Sequence, residues 1–314
     1  MTSTTLLGPQ RFLTTAGSVV RALDVAGPVA VVLAGWEERE SDDGELQEVM
    51  GGRVVNLRLH GRMMGLLAAD PAVTAAALIL RDAMDDLAAV YSTRLHHGVE
   101  AVYAVHRSTA RPDIVASGFA DGLRLVQEID RWYLHALGQL YGELEATRAL
   151  EQSEELQRHR AEVAEIVAGA GVLAVAGGHV GVLTRAMRLF AVRPPAELPV
   201  VAWSGGAMAV TSQVVLFLDD SPTGFTGAEI WDRGLARVPG VVALPHARRR
   251  LRLDDRVRMS VLAGRFPDAT CVLLDDGSKV VIGADGQVPA GARVLTADGA
   301  VVTIAQPTPA GTAS

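Results

Sequence analysis

Ser204 sits in the run LPVVAWSGGAM, where an apolar segment leads into the serine and Gly205, Gly206 and Ala207 follow it. A buried strand that turns sharply into a helix lifts such a hydroxyl above the sheet edge. The first backbone N–H groups of the helix then point at whatever the hydroxyl attacks. Small residues after the serine leave room for a substrate carbonyl. The elbow pattern puts glycine two residues before and two after the nucleophile; here Ala202 takes the first position and Gly206 the second. A serine that only caps the following helix would read the same way.

A nucleophilic serine needs a base, and the base needs a group to orient it. Of eight histidines, His246 in VVALPHARRR directly follows an apolar run, where a sheet-edge loop would hold it. Most of the others fall in a helical stretch. Asp219 and Asp220 end the run VVLFLDD and are the candidate acids; a solvated turn is the alternative. Arg248, Arg249, Arg250, Arg252, Arg256 and Arg258 cluster after His246. Beside a catalytic histidine, arginine suits a carboxylate; a salt-bridged helix face is the competing reading. The single cysteine, Cys271, lies in an apolar strand run and reads as a buried thiol.

The elements that must position these groups form three stretches. Residues 1–60 open an α/β domain: PVAVVLAG and RVVNLRL read as buried strands on either side of an acidic loop. Residues 61–168 read as a helical insertion. Asp70-Pro71 is an N-cap followed by proline at the first helical position, and Leu80, Met84, Leu87, Tyr91 and Leu95 recur on one face behind it. A second helix is expected from near Phe119, with the stripe Val126, Ile129, Tyr133, Leu137, Leu140 and Leu144. The two stripes predict an antiparallel pair that leaves an apolar face for a second copy of the chain. Residues 169–305 return to α/β, with Gly177-Gly178 at one strand-to-helix turn and Ser204 at the next. Asp276-Gly277, Asp285-Gly286 and Asp298-Gly299 predict β-hairpins near the end. The tail, residues 306–314, is expected to be disordered.

Composition narrows the function classes. The 314 residues carry 29 Lys and Arg against 36 Asp and Glu, a net charge of −7, which argues against a general nucleic-acid binder. One cysteine rules out an internal disulfide framework and any multi-cysteine metal site. No metal or other cofactor is implied. Residues 198–218 contain no charge, but their Pro199, Ser204, Gly205, Gly206, Thr211, Ser212 and Gln213 suit strand, turn, helix and strand better than one membrane helix. No secretory signal is expected at the N-terminus, so the sequence reads as cytoplasmic and without a membrane partner.

From Gly171 onward the chain resembles the peptidase E and cyanophycinase family of serine peptidases. AGGHVGVLTRAM is similar to the family's Gly-Gly-Asn or Gly-Gly-Asp segment, AWSGGAM to its serine elbow, and PHARRRLR to its pattern of histidine with arginines four and six residues later. The resemblance implies a class I glutamine amidotransferase-like fold: a three-layer α/β sandwich with a mainly parallel sheet, here with the helical insertion and a hairpin-rich C-terminal end. It also implies a serine hydrolase cleaving a small peptide or amide. Ser204 would be the nucleophile, His246 the base, and Asp219 (or failing that Asp220) the acid. The N–H groups of Gly178 and Gly205 would form the oxyanion hole. His179 stands where the family has a polar substrate-binding residue, and Arg250 and Arg252 would hold a substrate carboxylate. The competing expectation is a binding or scaffold protein that keeps the fold without the chemistry.

Overall fold

The computed structural model describes residues 3–11, 13–219 and 227–306. The chain opens with β1 (Thr4–Leu7), α1 (Ala16–Ala22), β2 (Val29–Val32), α2 (Gly44–Val49) and β3 (Val54–Asn56). Helices follow without an intervening strand: α3 (Leu59–Ala69), α4 (Pro71–His106), α5 (Pro112–Glu145), α6 (Arg148–Gln152) and α7 (Glu154–Ala168). Then come β4 (Val172–Val175), α8 (Val180–Leu189), β5 (Val200–Trp203), α9 (Gly205–Ala209), β6 (Gln213–Leu218), β7 (Gly227–Arg233) and β8 (Val241–Pro245). The last elements are α10 (Ala247–Arg250), α11 (Arg256–Gly264), β9 (Thr270–Leu274), β10 (Lys279–Ile282), β11 (Arg293–Leu295) and β12 (Val301–Thr303).

Six strands form the main sheet in the order β10-β1-β5-β4-β2-β3, parallel except for β10. Its inner strands are short valine-rich runs buried on both faces, as a parallel sheet requires. The alternation is visible in β2. Val29 and Val31 pack with Val19 of α1 and Leu46 of α2, whereas Ala30 and Val32 pack with Leu66, Val163 and Leu183 of α3, α7 and α8. The result is a mixed α/β structure with helices on both sides of a mainly parallel sheet.

A second sheet, β12-β11-β9-β8, and the antiparallel ribbon β6-β7 stand beside the first. Val241, Ala243, Val272 and Leu274 face the main core; Val242, Leu244, Cys271 and Leu273 face α4, α5 and α11. Asp70 caps α4 through its side chain, accepting the N–H groups of Ala72 and Val73 at 3.0 and 3.1 Å. Helix α5 begins at Pro112, seven residues before the expected start, because Arg111-Pro112 repeats the proline-first signal of α4. The two helices pack against each other, but their stripe is not left open. Tyr91, Leu95, Val126, Ile129, Tyr133 and Leu137 are buried against β6, β7 and the second sheet. A buried pair clamps this layer: Arg265 donates from Nε and Nη2 to the Asp130 carboxylate, both at 2.8 Å, and Tyr91 donates to the same carboxylate at 2.7 Å.

Two of the three expected hairpins do not form. Strands β9 and β10, on either side of Asp276-Gly277, belong to different sheets, because β10 crosses to the edge of β1. Asp285-Gly286 likewise precedes β11 in the second sheet without closing a hairpin. Asp298-Gly299 does join a paired hairpin, β11-β12. Residues 198–218 form β5, α9 and β6. Among the described residues no single helix is long and apolar enough to cross a membrane; only the pair α3 and α4, bent by 112°, passes by length and composition. Asp220 and residues 307–314, the expected disordered tail beyond Gln306, lie outside the described residues.

Candidate active site

Ser204 occupies the one-residue turn between β5 and α9. Its backbone is at φ 51° and ψ −123°, a conformation that side chains other than glycine rarely adopt. Two glycines make that turn possible. A Cβ on Gly177 would come within 2.6 Å of the Ser204 Cβ, and one on Gly206 would collide with the Val175 carbonyl. Gly206 therefore meets the second glycine position of the elbow for a steric reason, while Ala202 at the first is simply buried in the strand.

His246 follows β8 as Ser204 follows β5. It too is left-handed, at φ 59° and ψ 33°, and its N–H donates to the Leu274 carbonyl at 2.9 Å. Its Nε2 lies 3.4 Å from Ser204 Oγ, across 42 residues of chain. Partial burial, and then the Arg250 and Arg249 guanidiniums, hold the ring below its ordinary pKa, so it is neutral and able to accept a proton near pH 7. The carboxylates of Asp276 and Asp275 oppose that shift. Asp275 acts on the histidine through the backbone: it accepts the Arg248 N–H at 2.9 Å and an Arg293 guanidinium N–H at 2.8 Å, fixing the start of α10 beside His246.

Asp219 does not reach His246. Its Oδ1 accepts from Arg258 Nη1 at 2.9 Å and its Oδ2 from the Arg252 N–H at 2.8 Å. The carboxylate is buried, so it takes the cation and the N–H supplied by the chain after α10 in preference to a half-exposed ring. Among the described residues no carboxylate lies within ion-pair distance of either His246 nitrogen.

Six of the eight residues singled out from the sequence line one cleft of about 440 Å³: Gly178, His179, Ser204, Gly205, His246 and Arg250. The N–H groups of Gly178 and Gly205 meet no backbone carbonyl outside the helices among the described residues. His179 caps α8, its Nδ1 accepting the Val182 N–H at 3.1 Å, which leaves the proton of the neutral ring on Nε2. The Arg250 guanidinium has no ion-pair partner among the described residues, and its pKa is lowered by burial and by Arg249. Arg252 lies outside the cleft, with its N–H committed to Asp219.

The cleft has a wall that the sequence reading missed. Met208, Leu216 and Trp231 line it, and Trp231 is 41% exposed on β7. The strand was legible: in GAEIWDR, Ala228, Ile230 and Asp232 are buried while Trp231 and Arg233 are exposed, a period of two.

No protein-family model and no curated protein matches the chain. Among solved structures, the chain is similar to one described as the crystal structure of a peptidase from an acI-B1 Actinobacterium. The TM-score is 0.49 and the identity 11%, covering 98% of this chain and 96% of that one.

Proposed function

We propose that the protein is a serine hydrolase that cleaves a small peptide or other amide. The observation that carries this reading is the meeting of Ser204 and His246 at 3.4 Å, each at positive φ at the end of a parallel strand. In this reading Ser204 Oγ attacks the carbonyl carbon while His246 Nε2 takes its proton. The oxyanion is held by the N–H groups of Gly178 and Gly205, each worth on the order of 3 kcal/mol. The C–N bond then breaks, and His246 returns the proton to the leaving amine. Water, deprotonated by His246, then attacks the acyl carbon, the Ser204 Oγ–C bond breaks, and His246 returns the proton to Oγ. Arg250 supplies a cation for a carboxylate near the scissile bond, and Trp231 a flat wall for the substrate's apolar part. The motifs around Gly177, Ser204 and His246 support placing the chain with peptidase E and cyanophycinase, in a class I glutamine amidotransferase-like arrangement.

A second reading, a binding protein without catalysis, is favoured by one observation: no carboxylate orients His246 among the described residues. Labelling with a fluorophosphonate probe, followed by hydrolysis assays on dipeptides with and without an acidic residue, separates the two. Labelling that disappears in both Ser204→Ala and His246→Ala is expected of the hydrolase. Absence of labelling together with absence of dipeptide turnover in the intact protein would count against the hydrolase and favour the binding reading.

A further inference from the structure

A larger cavity, of about 550 Å³, lies away from Ser204 and is walled by α5, α8, the loop after it, and the chain following β7. Its lining includes Arg188, Arg193, Arg233 and Arg237 but a single carboxylate, Glu145. That carboxylate is held by Arg160 at 3.2 Å. In a chain with a net charge of −7, four arginines around one cavity are an unusual concentration of positive charge.

Two of the four are uncommitted. Among the described residues, no acceptor lies within hydrogen-bond distance of the Arg193 or Arg233 guanidinium. Gly138 leaves space for Arg233, since a Cβ there would collide with Arg233 Nη1. Arg237 donates to the carbonyls of Pro195, Ala196 and Leu198 at 2.8–3.1 Å, which fixes the loop carrying Arg193 but neutralises no charge. Arg188 lies over the Tyr141 ring, donates to the Arg233 carbonyl at 2.9 Å, and keeps a buried Nε with no partner. The one buried anion beneath, Asp232, accepts the Tyr141 hydroxyl at 2.8 Å and the Arg233 N–H at 2.7 Å and lies 3.7 Å from Arg188 Nη2, so the charge it offsets is that of Arg188. Thr184 adds one hydroxyl to the lining, and Met187, Val192, Pro194 and Leu235 make an apolar wall.

We propose that this cavity binds a small organic anion. Its carboxylate or phosphate head would sit between Arg193 and Arg233 and its apolar body on Met187, Val192 and Leu235. The size is in the range of small-molecule sites, and the arginine forks match the planar or tetrahedral oxygens of either head. A bare inorganic anion would leave the apolar walls uncovered, so affinity requires both parts of the ligand. The site needs nothing from Ser204, and it stands or falls separately from the hydrolase reading.

Calorimetric titration of the Ser204→Ala protein with hexanoate, hexyl phosphate, hexanol and inorganic phosphate tests the proposal. At least one of the hexyl anions is expected to bind with Kd of about 1 mM or tighter, and hexanol and inorganic phosphate at least about tenfold more weakly. The Arg193→Ala/Arg233→Ala double variant changes two exposed side chains and should fold normally by circular dichroism. It is expected to lose at least about tenfold in affinity for the anion. Silence of both hexyl anions up to about 10 mM overturns the proposal. So does hexanol binding as tightly as the anions, or undiminished anion binding by the folded double variant.

Discussion

Replacing Ser204 by glycine should abolish activity and make the protein more stable than replacing it by alanine. The reasoning runs through the backbone. At φ 51° and ψ −123° a residue with a Cβ bears strain of roughly 2 kcal/mol, which alanine retains and glycine does not. Against this, glycine costs about 0.7 kcal/mol more chain entropy on folding. Losing the contacts of the Ser204 Cβ costs about 0.5 kcal/mol more, because Ser204 is only half-buried. The balance favours glycine by about 0.8 kcal/mol. With an unfolding entropy of about 2.1 cal/mol/K per residue, a chain of 314 residues should show a Tm difference of about 1 °C. Calorimetry on both variants, paired with urea unfolding, reads this directly.

An internal control sharpens the test. Ser18 is exposed in α1 with ordinary helical geometry, so there the order must invert, with glycine about 1 kcal/mol less stable than alanine. The difference between the two alanine–glycine comparisons should approach ~2 kcal/mol. If Ser204→Gly is no more stable than Ser204→Ala while the Ser18 pair behaves normally, Ser204 carries no strain and the elbow argument fails.

Two more outcomes follow from the site. With His246 as the proposed base, active in its neutral form and with a depressed pKa, kcat/KM on a neutral substrate should fall only as pH drops below about 6.5. Arg250→Ala removes a cation that disfavours the imidazolium, so this limb should move to higher pH; no movement, or a shift the other way, refutes the electrostatic assignment. Asp219→Asn unpairs the buried Arg258 contact and should cost about 3 kcal/mol of stability by urea unfolding, with kcat of the folded fraction within about threefold of wild type. A carboxylate orienting the histidine would instead lower kcat by roughly 10⁴ with stability kept, and that pattern would restore Asp219 as the acid.

What the sequence made legible divides along physical lines. Ser204 and His246 were readable because each directly ends an apolar run, and a short buried strand has one place for a polar residue, its exit. Asp219 also ends such a run, yet its partner was chosen by tertiary contact with Arg258, 39 residues further on, which spacing alone does not encode. The four-residue β1, TTLL, is buried throughout, and no alternation marks it. Strand β10 has the hairpin signal of Asp276-Gly277 before it, but a turn dictates only a reversal of direction. Which edge the returning strand joins depends on where an unpaired edge is available, and here that is β1.

The same distinction accounts for how the pair is assembled. Ser204 leaves the main sheet and His246 leaves the second, and no local rule in either segment refers to the other. They meet because both sheets contribute faces to one core: Val200 and Ala202 of β5 share it with Val241 and Ala243 of β8, which brings the exits of the two strands to one place. The positive φ at each exit then completes the meeting. With extended backbone at either position the chain would run on along its strand direction, and Oγ and Nε2 would not face each other. The strain and the site therefore have one cause. His246 is held by its bond to the Leu274 carbonyl and by Asp275 on the Arg248 N–H, so its placement is set by the β8-β9 pairing. An orienting role for the backbone in place of a carboxylate is consistent with a ring whose pKa is lowered, because burial and the Arg250 and Arg249 guanidiniums outweigh the opposing pull of Asp276 and Asp275.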